Sequence, residues 1–172
     1  MAELAPRERL QPSLLDRLSD DEPDKSSEPR ERRVLSLRTL REGVLRDLAW
    51  LLNTTNLMSL SSIDTGKLPH LASSVVNFGV PDLSGNAIAS LNVGKLERGI
   101  RQAIWDFEPR LIRGTVTVKA VSADGAAHNK LTFEIEADLW AQPYPERLYL
   151  KTELDLERGA TVLADTQARS AA

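Results

Sequence analysis

Glu134, Glu136 and Asp138 stand at alternate positions of one run, so in an extended chain their carboxyl groups share a face, each about 7 Å from the next. Carboxyl pairs at such separations are what glycoside hydrolysis uses. That chemistry requires one of them to be desolvated and still protonated near neutral pH. Here they alternate with Leu131, Phe133, Ile135, Ala137 and Leu139, so they are expected to face water, with Lys151 nearby on the next strand. His70 and His128 are far apart and lie in no ligand-spaced cluster, and the chain has no cysteine. No Gly-x-Ser-x-Gly, P-loop or Gly-x-Gly-x-x-Gly motif is present. The sequence therefore assigns no catalytic, metal-binding or cofactor-binding residue.

Recognition chemistry is better represented. Trp50 and Trp105 each fall roughly 130° from the centre of the apolar stripe of their helix, and Trp140 has the outward parity of its strand. All three are expected off the core. Tryptophan and arginine are the side chains most enriched in interface hot spots. Arg98, Arg101 and Trp105 line one side of a helix that runs up to Glu108-Pro109-Arg110, and this reads as a partner surface. The alternative is that flanking segments of the same chain cover it.

The elements that position these residues follow from periodicity. Leu37, Leu40, Val44, Leu48 and Leu51 recur at helical spacing and predict a helix over 37–52, capped by Ser36 or by a Thr39–Glu42 capping box. Leu96, Ile100, Ala103, Ile104 and Phe107 predict a second helix over 93–107, with Asn92 as cap, Leu91 and Leu96 as a staple, and Pro109 as the stop. Between them the pattern is weaker: a short helix over 70–78, then turns at Gly79, Pro81-Asp82 and Ser84-Gly85. Three alternating runs, 115–121, 131–140 and 148–156, predict antiparallel strands with one wet face, joined through Asp124-Gly125 and Pro143–Pro145.

The fold class is thus α+β: two long helices on one face of an antiparallel sheet of three to four strands. Gly43 and Gly99, both inside helices, point to close approach of those helices to each other or to the sheet. The domain spans 34–160, and residues 161–172 are expected to fray.

Residues 1–33 differ. They hold seven basic and nine acidic groups with four prolines, and read as a flexible arm. One island interrupts it: Ser13 can cap a short helix over 12–18 that places Leu14, Leu15 and Leu18 on one face. This helix either docks on its own domain or folds onto a partner.

Composition bounds the rest. With 172 residues and a longest uninterrupted apolar run of five, Leu48 to Leu52, the chain is expected to be one domain with no membrane span, since a span needs about 20 such residues. Neither a secretory leader nor a basic excess suited to nucleic acid is present, the net charge being -3. A soluble protein of the reducing cytoplasm is expected.

Three blocks carry a family likeness. They are Ser13-Leu14-Leu15-Asp16-Arg17-Leu18 followed by Asp20-Asp21-Glu22-Pro23, then Ser73 to Gly85 (SSVVNFGVPDLSG), and Glu108-Pro109-Arg110 at a helix end before the strands. In this order the chain resembles the TssE family, the wedge proteins of the type VI secretion baseplate, related to the small wedge protein of contractile-phage baseplates. The resemblance covers about Pro12 to Gly159. It implies a non-enzymatic structural subunit in a cytoplasmic baseplate docked at the inner membrane complex. Implied partners are the wedge proteins TssF, TssG and TssK and the sheath proteins TssB and TssC, whose first ring the sheet end would template. No cofactor, nucleic acid or membrane insertion is implied, and Glu108, Pro109 and Arg110 would form the wedge contact.

Two other classes compete: a free-standing regulatory module of the anti-adaptor type, and a lysozyme-like hydrolase, against which the absence of an acid/base site argues. The 148–156 strand is expected to be an open edge for a sheath strand, with Lys151 and Glu153 pointing outward. Between Leu131 and Arg158 seven acids face three basic groups, which favours a basic partner.

Overall fold

The computed structural model describes residues 13–18, 24, 36–60, 68, 70–82, 92–121, 130–141, 145–155 and 160–165. Helix α1 is Leu14–Leu18. Helix α2, Leu37–Leu52, starts where the Ser36 hydroxyl accepts the Thr39 N–H at 3.1 Å, so Ser36 is the cap. Its buried face is Leu40, Val44, Leu48, Leu51 and Leu52. After the single turn α3 (Leu57–Leu60), helix α4 covers Val93–Phe107, capped by the Asn92 side chain on Lys95 N–H at 2.9 Å. It buries Leu96, Ile100, Ala103 and Ile104.

The helix expected over 70–78 is a set of turns closing in a 3-10 turn at Val75–Asn77. Asn77 explains the departure. Its buried amide accepts Met58 N–H at 3.0 Å and donates to Ala72 O at 3.0 Å, tying the segment to α3 instead of letting it wind on. Gly79 follows with φ 127°, and any Cβ there would run into the Thr54 carbonyl. That clearance lets Val80 exchange bonds with the chain after α2, Val80 N–H to Thr54 O at 2.8 Å and Asn56 N–H to Val80 O at 2.9 Å.

Among the described residues four strands form one antiparallel sheet in sequence order: β1 Thr117–Val121, β2 Lys130–Leu139, β3 Glu146–Asp155 and β4 Ala160–Asp165. The first strand begins two residues later than expected, because Arg113–Thr115 make a 3-10 turn. The Thr115 hydroxyl holds that turn, donating to Ile112 O and accepting Asp138 N–H, each at 2.8 Å. Phe133, Ile135, Ala137, Leu139, Leu148, Leu150 and Leu154 point to the helix side and join the buried faces of α2 and α4 in a single core. Thr152 is the polar member of that face, its hydroxyl donating to Phe133 O at 3.2 Å.

Two expectations about the C-terminus are corrected. The tail expected to fray from residue 161 is, as far as Asp165, the fourth strand, paired with β3 from Asp155↔Ala160 to Leu150↔Asp165. Backbone pairing holds it, and α2 adds clamps at both ends. Arg41 grips Asp165 through two bonds of 2.8 and 2.9 Å, and Thr161 donates to Leu52 O at 3.2 Å. Consequently the 148–156 region is no edge. Strand β3 lies between β2 and β4, so the backbones of Lys151 and Glu153 are not open to an added strand.

The helical glycines admit close approach, though not of the two long helices to each other or to the sheet. A Cβ on Gly99 would lie 3.2 Å from Pro81 Cγ, and one on Gly43 would meet the side chains of Asp16 and Arg110. The Asp124-Gly125 and Ser84-Gly85 turns, Pro143, His128, Leu91 and most of residues 1–33 lie outside the described residues. Among those described, no helix is long and apolar enough to cross a membrane.

Candidate docking surface

The end of α4 sets the site. Glu108 closes the helix with its N–H on Ile104 O at 2.9 Å, Pro109 stops the backbone from continuing, and Leu111 N–H turns back to Glu108 O at 3.2 Å. This turn carries the Glu108 side chain inward, where it is 3% exposed. A buried carboxylate needs a partner, and Arg110 supplies it. The Arg110 N–H and Nε both donate to Glu108 Oε1, at 3.1 and 2.7 Å, and Nη2 reaches Oε2. Of the three residues of the expected wedge contact, Glu108 is thus buried within its own domain and paired there by Arg110.

The arginine also reaches sideways. Its Nη2 donates to Asp47 Oδ2 at 2.6 Å; Asp47 Oδ1 accepts Arg46 Nε at 2.9 Å; and Arg46 Nη1 donates to Asp16 Oδ1 at 2.6 Å. Five charged side chains thus run in line, Glu108–Arg110–Asp47–Arg46–Asp16, from the end of α4 across α2 to α1. Burial would loosen the Arg110 proton, but hydrogen bonds and attraction from Glu108 and then Asp47 outweigh it, holding the guanidinium above its ordinary range. The hydrogen bond from Arg46 holds Asp16 below its usual carboxylate range, and Asp16 and Asp47 raise Arg46 in turn.

The line decides how α1 sits. Ser13 caps it, its hydroxyl accepting Asp16 N–H at 3.2 Å and donating to Asp16 Oδ2 at 2.6 Å. The helix docks on its own domain through the polar side, with Asp16 over Gly43. Its apolar residues turn away: Leu14 is 71% exposed, Leu15 45% and Leu18 75%. Two half-exposed tryptophans flank the charges. Trp50 lies under Arg46, 5.2 Å from ring centre to guanidinium carbon, and Trp140 N–H bonds Arg110 O at 2.8 Å.

The sequence is similar over residues 38–144, more than half its length, to the family described as baseplate wedge protein gp25. The chain belongs to that family. It is a structural baseplate component by kind, and the matched stretch contains Arg46, Asp47 and the Glu108–Arg110 turn. No match is found among curated proteins or solved structures.

The remaining sequence-derived residues divide. Trp50 and Trp140 stand off the core as expected, whereas Trp105 is partly buried and packs against it, with Arg101 stacked 5.4 Å away. The face of α4 that carries Trp105 therefore meets the core rather than open water. Arg98 remains exposed. Glu136 and Asp138 face outward beside Arg147, at 3.4 and 3.8 Å, and Glu134 is exposed opposite Lys151. His70 is exposed. The described residues contain no group of three or more acidic or histidine side chains placed to hold a metal ion. Asp16, Arg46 and Asp47 were missed as site residues; the one available signal was Asp16 inside the leucine block, and nothing in the spacing links it to Arg46.

Proposed function

We propose that this chain is the TssE-type subunit of a type VI secretion baseplate, without enzymatic activity, joining the wedge proteins TssF, TssG and TssK and helping the sheath proteins TssB and TssC begin to polymerise. The observation that carries the reading is α1. A helix held to its own domain through Asp16 presents an apolar side to solvent, with Leu14 and Leu18 largely exposed. Such a side suits an amphipathic partner helix or a hydrophobic groove on another subunit. Trp50, Trp140 and Arg46 around it are of the types that dominate interface energies. The Glu108-Pro109-Arg110 turn contributes by fixing Asp47 and Arg46, and so the place where α1 stands. Arg98 and Arg101 on α4, and Lys151 and Glu153 on the outer sheet face, form separate polar surfaces for sheath or wedge contacts. The working location is the cytoplasmic face of the inner membrane complex.

Replacing Leu14, Leu15 and Leu18 together by serine tests this. Co-purification with TssF and TssG is expected to fall at least tenfold while the thermal midpoint of the free chain stays within a degree or two, since exposed sites contribute little to stability. Unchanged co-purification would refute the reading.

A further inference from the structure

Each edge strand of the sheet has a helix side chain seated on its backbone. On β1, Ala120 N–H donates to Glu97 Oε1 of α4 at 2.8 Å. On β4 the capture is complete: Thr161 N–H donates to Asn53 Oδ1 at 2.8 Å, and Thr161 C=O accepts Asn53 Nδ2 at 2.9 Å. A carboxamide presents the same donor and acceptor pair as a neighbouring strand, so Asn53 occupies one rung of a ladder that would otherwise be open. We propose that Asn53 is an edge guard that keeps β4 from pairing with β4 of a second copy of this chain.

Strand β4 needs such a device. Edges are commonly blunted by charge, but β4 reads Ala160-Thr161-Val162-Leu163-Ala164-Asp165, and its one charge is already taken by Arg41. Val162 is 66% exposed on the outer face. Without a guard this is a short, uncharged, apolar edge.

Symmetry makes one amide sufficient. Because Thr161 turns its pairing groups away from β3, the outward positions are Thr161, Leu163 and Asp165, alternating along the strand. A contact between two copies is isologous, so any group lost to one copy is lost to both. In the fully overlapped antiparallel register Thr161 would face the partner's Asp165, Leu163 would face Leu163, and Asp165 would face the partner's Thr161. Occupying Thr161 removes the first and third of these at once. A register slipped past Thr161 offers at most two rungs, through Leu163 and Asp165. A strand from a different protein is bound by no such symmetry and loses only the Thr161 rung. The guard therefore denies self-pairing its fully overlapped register, and it stands independently of the baseplate reading.

Sedimentation equilibrium of the full chain over a concentration series tests it, with folding checked by circular dichroism. Asn53→Ala is expected to lower the dissociation constant of a dimer about tenfold relative to wild type, the overlapped register gaining one rung of backbone bonds over the slipped one. Adding Val162→Lys is expected to return the wild-type behaviour by charging the edge. A folded Asn53→Ala chain that associates no more than wild type overturns the proposal. Amide exchange in the wild-type chain decides the matter even if that variant does not fold. Thr161 is expected to exchange more slowly than Leu163, and equal rates would overturn the guard.

Discussion

Helix α1 and strand β4 are the two outlying segments of this molecule, and they are attached by opposite means. Strand β4 is held by a backbone ladder to β3, with Leu163 packed against the core and Arg41 and Asn53 fastening its ends. Helix α1 is held through Asp16, at the end of a line of charges, with Leu14 and Leu18 outside. A ladder fixes a segment whatever its side chains are, and makes it part of the fold. A single polar contact places a segment and leaves its apolar surface for something else. The first arrangement builds structure, while the second offers a binding face whose position is set in advance.

The sharpest way to break this contrast is at the core end of the line of charges that holds α1. Arg110→Ala leaves Glu108 buried without its partner and releases Asp47, and removing one member of a buried pair costs about 3 kcal/mol or more. Denaturant unfolding is expected to show that loss, and α1 is expected to detach as well. Leu163→Ala tests the β4 side. The residue is partly buried, so a loss of about 2 kcal/mol, at the low end for a core leucine, is expected in the same measurement, with α1 unaffected.

Acid separates the two segments with the least perturbation. Asp16 is held below its ordinary 3.8 by Arg46, so its contribution is complete above that value and is lost as pH falls through the lower folded value. Docking of α1 is therefore expected to be constant from neutral pH down to about 4 and to weaken below it. Backbone resonances of residues 14–18 would report the change, and Asp16→Asn is expected to abolish this pH dependence.

The two segments also show what a sequence reveals. The long helices were legible because their leucines repeat every three to four residues and Ser36 and Asn92 are strong caps. The inner strands were legible because large apolar residues alternate without a break. Strand β4 was not, since Thr161, Val162 and Ala164 are small or β-branched, follow Gly159, and owe their place to backbone bonds that leave no mark on side-chain pattern. With β4 unseen, β3 took its role as the edge. In the site, the Glu108-Pro109-Arg110 turn and the leucines of α1 were visible as residues of interest. Their connection was not, because Asp16 and Arg46 are thirty positions apart, and because a glutamate at a helix end reads as solvent-facing until a proline turn carries it inward. Trp105 was misplaced for a related reason, as a helical stripe says nothing about a second neighbour at the side.

Amide exchange across Leu14–Leu18 in the free chain, wild type against Asp16→Asn, tests most directly the claim that α1 is held through the Asp16 carboxylate and leaves Leu14 and Leu18 exposed. The expected result is measurable protection in the wild type that disappears in the variant, while Ile135 and Leu150 in the core exchange identically in both. Protection that survives the substitution would mean that the leucines themselves pack on the domain, and would contradict the account.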